Sequence, residues 1–322
     1  MMSSPEGKTI LLTGATGFIG HHLRKRLSQM PFGRLVLLSR TPSHEDKTAE
    51  WGNNETRVVS SLDTLSPHTW KDHGIDRIDT VFHLGGFIPK KSGSGDDPSH
   101  VNQVYRDNLE GTRGLLDSLP VPPQRIVFAS TIDVYAPLPE GAILTESSAI
   151  RPSGIYGASK LFCESLIESY ARRTGCAWSI LRYGHLYGPG EGSFSKLIPQ
   201  AIKALLEGRN PVLYGDGSVL RDFLYVGDAV EASVRALSDK TNHIGPLNIV
   251  RGESRPIREF VELLARITGY SGGITSMPDR DGGQSLRFDN TGMLKALGKW
   301  SFFPMEEGLH HEIEYFRERH RS

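Results

Sequence analysis

The sequence predicts an α/β protein: a doubly wound parallel sheet over residues 1–184, followed by a smaller α/β unit over residues 185–322. Three features carry this expectation. Short apolar runs alternate with segments of helical periodicity through the first half of the chain. A glycine triplet directly follows the first of those runs. After residue 185 the texture becomes turn-rich.

The predicted strands are "KTILLTG" (8–14), "RLVLLSR" (34–40), "TRVVS" (56–60), "DTVFHLGG" (79–86), "RIVFAS" (125–130) and "AWSILRYG" (177–184). They are apolar without strict alternation, as expected of strands covered on both faces of a parallel sheet. Helical segments lie between them. In "GFIGHHLRKRLSQM", Ile19, Leu23 and Leu27 repeat every four residues and make one apolar stripe. In "SGIYGASKLFCESLIESYARRTG", Ser153 can cap the start and Gly175 marks the stop. The second unit begins with "GPGEGS" and "YGDGSVLRDF", and helices are predicted at 195–207, 228–238 and 255–268. Segments near 220–240 are candidates to pack back on the first unit. The polar, glycine-rich loop 89–99 reads as mobile.

Bulk composition narrows the function. Lys plus Arg and Asp plus Glu number 37 each, so overall charge points to neither nucleic acid nor an acidic membrane. The two cysteines, Cys163 and Cys176, are too few for a disulfide framework and read as buried thiols in a reducing compartment. The start lacks a signal-peptide apolar stretch, and no apolar run approaches the roughly 20 residues of a membrane span. A cytoplasmic protein is expected. The adjacent pairs His21–His22 and His310–His311 do not face one ligand on a helix, and no metal is expected.

"LLTGATGFIGHHL" places Gly14, Gly17 and Gly20 after a strand and at the opening of a helix. Such glycines allow a tight turn and close backbone approach to a pyrophosphate, whose charge the free N–H groups at the helix start can hold. The end of the second strand reads the cofactor's ribose. An acid there would suit a 2′-hydroxyl and an arginine a 2′-phosphate. This chain has Ser39, Arg40 and Thr41, with no acid, which favours NADP over NAD; the other reading of Arg40 is a solvated surface residue.

The spacing G-x-x-G-x-x-G resembles the short-chain dehydrogenase/reductase superfamily, and the chain length its extended branch, whose members act mainly on nucleotide sugars. The resemblance runs from about residue 8 to about residue 235. It implies a Rossmann-type sheet, with Gly14, Thr16, Gly17, Phe18, Ile19 and Gly20 along the dinucleotide. "FASTIDVYA" and "YGASK" resemble the family's Ser/Thr and Tyr-x-x-x-Lys motifs. Matched residue by residue, Thr131 binds the substrate oxygen, Tyr156 is the acid–base and Lys160 its partner; Ser130 takes Thr131's place if the register slips by one. A free phenol titrates near 10, and a neighbouring ammonium together with the oxidised nicotinamide lowers that value. Lys160 would also bind the nicotinamide ribose. The Asp-Glu pair of sugar 4,6-dehydratases is replaced by Ile132 and Asp133, which argues against that reaction.

"GDGSVLRDFLYVGDAVEA" resembles the family's diphosphate-binding segment, which gives Arg221 that role, and Asp228 with Glu231 reads as a helix capping box. "LRYGHLYGPG" matches R-x-x-N-x-Y-G-P except that His185 replaces the substrate-contacting Asn. The resemblance thus implies an enzyme acting at C4 of a nucleoside-diphosphate sugar. The first expectation is an NADP-dependent 4-ketoreductase, the second an NAD-dependent 4-epimerase, and the third a dinucleotide-sensing protein without chemistry. Relatives pair as homodimers through two helices per subunit, here about 100–118 and 153–174.

Overall fold

A computed structural model of the chain describes residues 7–40, 52–89, 98–191, 196–238, 242–278 and 283–321. Thr41 and the centre of the 89–99 loop, about which the sequence made statements, lie outside the described residues. The elements in chain order begin with β1 (Thr9–Thr13), α1 (Phe18–Leu27), β2 (Arg34–Ser39), β3 (Glu55–Val59), α2 (Pro67–Lys71) and β4 (Thr80–His83). Next come α3 (Pro98–Val104), a π-helical turn over Tyr105–Glu110, α4 (Gly111–Ser118), β5 (Arg125–Thr131), β6 (Ile143–Leu144) and α5 (Ile155–Thr174). Then follow β7 (Ala177–Tyr183), β8 (His185–Tyr187), α6 (Leu197–Leu206), β9 (Val212–Tyr214), β10 (Leu220–Arg221), β11 (Phe223–Tyr225), α7 (Val226–Arg235) and β12 (His243–Ile249). The chain closes with β13 (Arg255–Pro256), α8 (Ile257–Thr268), β14 (Thr275–Met277), β15 (Arg287–Phe288), α9 (Thr291–Leu297) and α10 (Met305–Arg321).

Seven strands form one doubly wound parallel sheet in the order β12-β7-β5-β4-β1-β2-β3. β1 sits where the order reverses, with β2 on one side and β4 on the other, and ligands bind at the carboxyl ends of strands at such a point. The apolar runs explain the sheet: Leu11, Val36, Val81, Ile126, Phe128 and Ile180 are all buried. They share one cluster with Trp70, Leu115, Ile167 and Tyr170 from the helices. Each such aliphatic side chain removed from water contributes about 1.5–3 kcal/mol. On α1, Leu23 and Leu27 of the predicted stripe are fully buried.

The chain divides into two compact units. One takes the chain up to Ala136, Ala149–Arg182 and Val230–Leu247; the other takes Pro137–Ser148, Tyr183–Ala229 and the chain from Asn248 onward. The expected division after residue 184 allowed for a return near 220–240, which in the structure runs over Val230–Leu247, but it did not include the excursion of 137–148. The chain from Val230 rejoins the first unit because β12 supplies the seventh strand, and residues 137–148 belong with the second because β6 pairs with β15. The second unit is built from two-stranded pairs, including parallel β8–β11 and antiparallel β10–β13, and α8 packs against α6 and α10. Phe260, Leu264, Ile198, Ile202, Leu309 and Ile313 fill its core.

Two capping expectations change. The residue that caps α5 is Gly154, in extended backbone and without a side-chain cap, so Ser153 sits one position too early; Gly175 does end the helix with φ 75°. Asp228 lies inside α7 and is not its cap. Its carboxylate accepts hydrogen bonds from the Phe303 amide (3.0 Å) and Trp300 Nε1 (3.2 Å), while Glu231 pairs with Arg235 at 2.7 Å. Both roles remain structural.

Candidate active site

The glycine loop joins β1 to α1. Gly14 has φ 70°, and a Cβ there would meet the Gly85 nitrogen at 2.8 Å, so the loop after β4 closes against it. A Cβ on Gly20 would lie 2.0 Å from the Gly14 carbonyl oxygen. Gly17 precedes α1 in extended backbone, makes no side-chain cap, and no acid stands in the first turn. The N–H groups at the start of α1 thus keep no helical acceptor, which suits a pyrophosphate. Thr16 and Gly17 are exposed, Phe18 and Ile19 half-buried, and Gly20 buried. These residues fit a nicotinamide dinucleotide.

At the end of β2, Ser39 is buried and Arg40 half-exposed. Arg40 is not an uncommitted surface group: its Nη1 meets Asp107 Oδ2 at 2.5 Å, and Arg106 Nε meets the other oxygen at 3.0 Å. Asp107 stands 67 residues further along the chain, in the π-helical turn, and nothing local in the sequence marked it.

β5 and α5 position Thr131, Tyr156 and Lys160. Thr131, the last residue of β5, is buried; its Oγ1 accepts from the Asp133 amide at 3.2 Å, leaving its proton to donate. The hydroxyl of Ser130 is otherwise engaged. It donates to Glu164 Oε1 at 2.5 Å, and Glu164 in turn holds Arg182 through 2.9 and 2.7 Å contacts, with Arg182 Nη1 donating to the Tyr135 hydroxyl at 2.9 Å. The slipped register that would have used Ser130 is therefore set aside.

Tyr156 and Lys160 follow on the first turns of α5. Lys160 is buried, donates from Nζ to the Ala129 carbonyl at 2.9 Å and sits 4.9 Å over the Phe128 ring. Burial lowers its pKa, against the raising effect of Cys163 and Glu164. Tyr156 departs from expectation. Burial first, then the charges of Asp133 and Cys163, push its phenol above the ordinary value, so Lys160 alone does not make it a ready base. A bound oxidised nicotinamide would supply a further positive charge there.

The sequence reading missed two supporting groups. Asn108, also in the π-helical turn, is buried; its Oδ1 accepts from the Phe87 amide at 2.6 Å, and its Nδ2 donates to Ser159 Oγ at 2.9 Å and to the Phe87 carbonyl at 3.1 Å. It ties the loop after β4 to α5. His83 is fully buried between Thr13 Oγ1 and Thr112 Oγ1, both at 2.9 Å. Burial, then Lys160, lowers its pKa to about 3, so the ring is a neutral link in the floor of the site.

His185 and Arg221 form a second group, within the other unit. β8 carries His185 beside Phe223, and burial, then Arg221 and Lys196, lower its pKa to about 4. The ring is neutral, and its buried Nδ1 has no hydrogen-bond partner among the described residues. Arg221 donates to the Leu220 and Gln284 carbonyls at 2.9 and 2.7 Å. Its only recorded partners among the described residues are neutral carbonyls, which leaves its charge for an anionic ligand. Beside them, Glu191 is buried against Lys196 Nζ at 2.5 Å; burial raises its pKa to about 7, and burial also pushes up the neighbouring Glu312. Among the described residues, no three His, Cys, Asp or Glu side chains gather as a metal site, and no helix is long and apolar enough to cross a membrane.

A glycine-rich β1–α1 turn at the switch point, with a Thr, Tyr and Lys at the end of β5 and on α5, defines an extended short-chain dehydrogenase/reductase enzyme. The sequence profile of the NAD dependent epimerase/dehydratase family matches residues 10–249, and the chain belongs to that family. It is 30% identical to a UDP-N-acetyl-alpha-D-glucosaminuronate decarboxylase of Bacillus cytotoxicus, over 97% of this chain and 98% of that protein. The fold superposes on the UDP-glucose 4-epimerase of Thermotoga maritima, solved with UDP-glucose, with TM-score 0.83 and 26% identity over 97% of this chain and 99% of that one. It also superposes on a UDP-glucuronic acid 4-epimerase from Bacillus cereus, solved with NAD, with TM-score 0.80 and 25% identity over 97% and 99% of the two chains.

Proposed function

We propose that the chain is an NAD-using 4-epimerase of a nucleoside-diphosphate sugar. The observation that carries this over net reduction is the ion pair between Arg40 and Asp107, since the arginine that favoured NADP already has a carboxylate partner. The 4-epimerases to which the chain is similar, one of them solved with NAD, support the same choice. A bound nicotinamide dinucleotide supplies the hydride acceptor and donor at C4. Thr131 hydrogen-bonds the C4 oxygen through its hydroxyl, keeping its proton, and orients it. Tyr156 takes the C4 hydroxyl proton as the keto-sugar forms and returns it after the sugar has turned. Lys160 holds a positive charge behind the phenol and binds the nicotinamide ribose. Arg221 holds the diphosphate, and neutral His185 offers Nδ1 to the substrate in place of the family's Asn.

A second reading, an NADPH-dependent 4-ketoreductase, rests on the absence of an acid in Ser39–Arg40 at the end of β2. The two part at the cofactor. Freshly purified protein should release NAD on denaturation, in near-stoichiometric amount, and convert UDP-hexoses to their C4 epimers without added dinucleotide. Tyr156→Phe should lower that rate by about 10²–10⁴. Protein that arrives empty and turns over only 4-keto sugars with NADPH would establish the reductase instead.

We also propose a homodimer through α3–α4 and α5, on which Tyr105 and Phe162 are more than half exposed. Sedimentation at micromolar concentration should show a dimer that Phe162→Asp dissociates.

A further inference from the structure

We propose that Asp107 sets how the chain reads the 2′ position of its dinucleotide, by competing with a 2′-phosphate for Arg40. This rests on the dinucleotide reading of the glycine loop given above. Arg40 stands at the carboxyl end of β2, next to β1, the strand position from which a cofactor's adenosine ribose is read in a doubly wound sheet. The local sequence offers Arg40 as a two-pronged phosphate binder. The structure shows one prong occupied.

Asp107 is only 5% exposed, and its two oxygens receive Arg40 Nη1 at 2.5 Å, Arg106 Nε at 3.0 Å and Gln103 Nε2 at 3.5 Å. Contacts of this kind between guanidinium groups and a carboxylate are charge-assisted hydrogen bonds. The two arginine side chains are 51% and 54% exposed. The trio carries two positive charges and one negative, a net +1 rather than the +2 that Arg40 and Arg106 would present alone. A 2′-phosphate arriving here meets guanidinium groups already partly neutralised, while a 2′-hydroxyl has no charge to lose. The acid missing from the end of β2 is thus supplied from the π-helical turn, acting through Arg40.

Asp107→Asn separates charge from shape. The amide oxygen still accepts from Arg40, but the net charge of the trio rises to +2. Fluorescence titration of protein stripped of nucleotide should show the wild type binding NADPH no more tightly than NADH. Asp107→Asn should tighten NADPH by about three- to tenfold, the effect of removing one partly screened charge beside a phosphate, and leave NADH within about twofold. Adding Arg40→Ala to Asp107→Asn should erase the gain. Weaker NADPH binding in Asp107→Asn, or equal tightening of both dinucleotides, would overturn the proposal. Should the variant fail to fold, the wild type alone still decides, because a preference for NADPH beyond about thirtyfold would mean Arg40 is not being competed for. Wild type that binds neither dinucleotide would overturn the cofactor reading itself, a result distinct from binding that ignores position 107.

Discussion

Ser130 and Thr131 are neighbours with hydroxyls of the same chemistry, and the structure predicts that losing each one fails a different test. Ser130 Oγ donates at 2.5 Å to Glu164 Oε1, an oxygen shared with Arg182 Nε in a pair where both side chains are 5% exposed. Ser130→Ala removes a hydrogen bond to a buried charge, which costs about 1.5–3 kcal/mol of stability. It should leave kcat/KM within about threefold, because the lost group faces Glu164 rather than the reacting carbon. Thr131→Val removes a hydroxyl whose hydrogen-bond partner among the described residues is the Asp133 amide, at 3.2 Å, which costs about 1 kcal/mol. Its loss to catalysis is larger, about 10²–10³ in kcat/KM, comparable to removing one donor from a developing oxyanion. Urea unfolding and steady-state epimerisation on the same two preparations give both axes. If Ser130→Ala were the inactive protein and Thr131→Val the merely unstable one, the placement of β5 against α5 described above would be refuted.

Glu164→Ala should be far costlier than Ser130→Ala, about 3–5 kcal/mol, because it strands the Arg182 guanidinium in the core. The double variant Glu164→Leu/Arg182→Met should recover more than half of that in the same urea assay, and an additive loss would contradict a buried pair. Glu191 is predicted to make the protein less stable as pH rises. Its folded pKa of about 7 lies above its unfolded value, so stability present below about pH 4.5 declines until about pH 7, by on the order of 3 kcal/mol, and thermal melts of Glu191→Gln should flatten that slope. His185, lowered to about 4, should add no titration to KM between pH 5 and 8; an inflection near pH 6.5 that vanishes in His185→Asn would show otherwise.

Much of the fold was legible because its signals are local. Six strands could be read as unalternating apolar runs, and the glycine loop needed only its flanking strand and helix. β12 escaped because "HIGPLNI" carries Gly245 and Pro246 in its centre, an interruption tolerated at the edge position it occupies. Tyr156 and Lys160 were readable from spacing, since one helical turn puts them on a common face. Asp107 and Asn108 were not, because their partners Arg40, Phe87 and Ser159 lie 67, 21 and 51 residues away and the π-helical turn breaks the 3.6-residue period. The pKa of Tyr156 was likewise out of reach: sequence supplies the neighbouring ammonium, but only packing supplies the loss of water around the phenol.

The wide turn over Tyr105–Glu110 has a consequence for how this protein can vary. Consecutive residues of a regular helix point about 100° apart, yet here Asp107 reaches the end of β2 and Asn108 the loop after β4, and both are buried. A deletion of one residue in this turn would restore a regular helix and rotate both side chains off their targets together. Substitutions can adjust Asp107 or Asn108 one at a time, and so can alter the Arg40 ion pair or the tie to α5 separately. Insertions and deletions cannot, because the spacing of this one turn is shared by both.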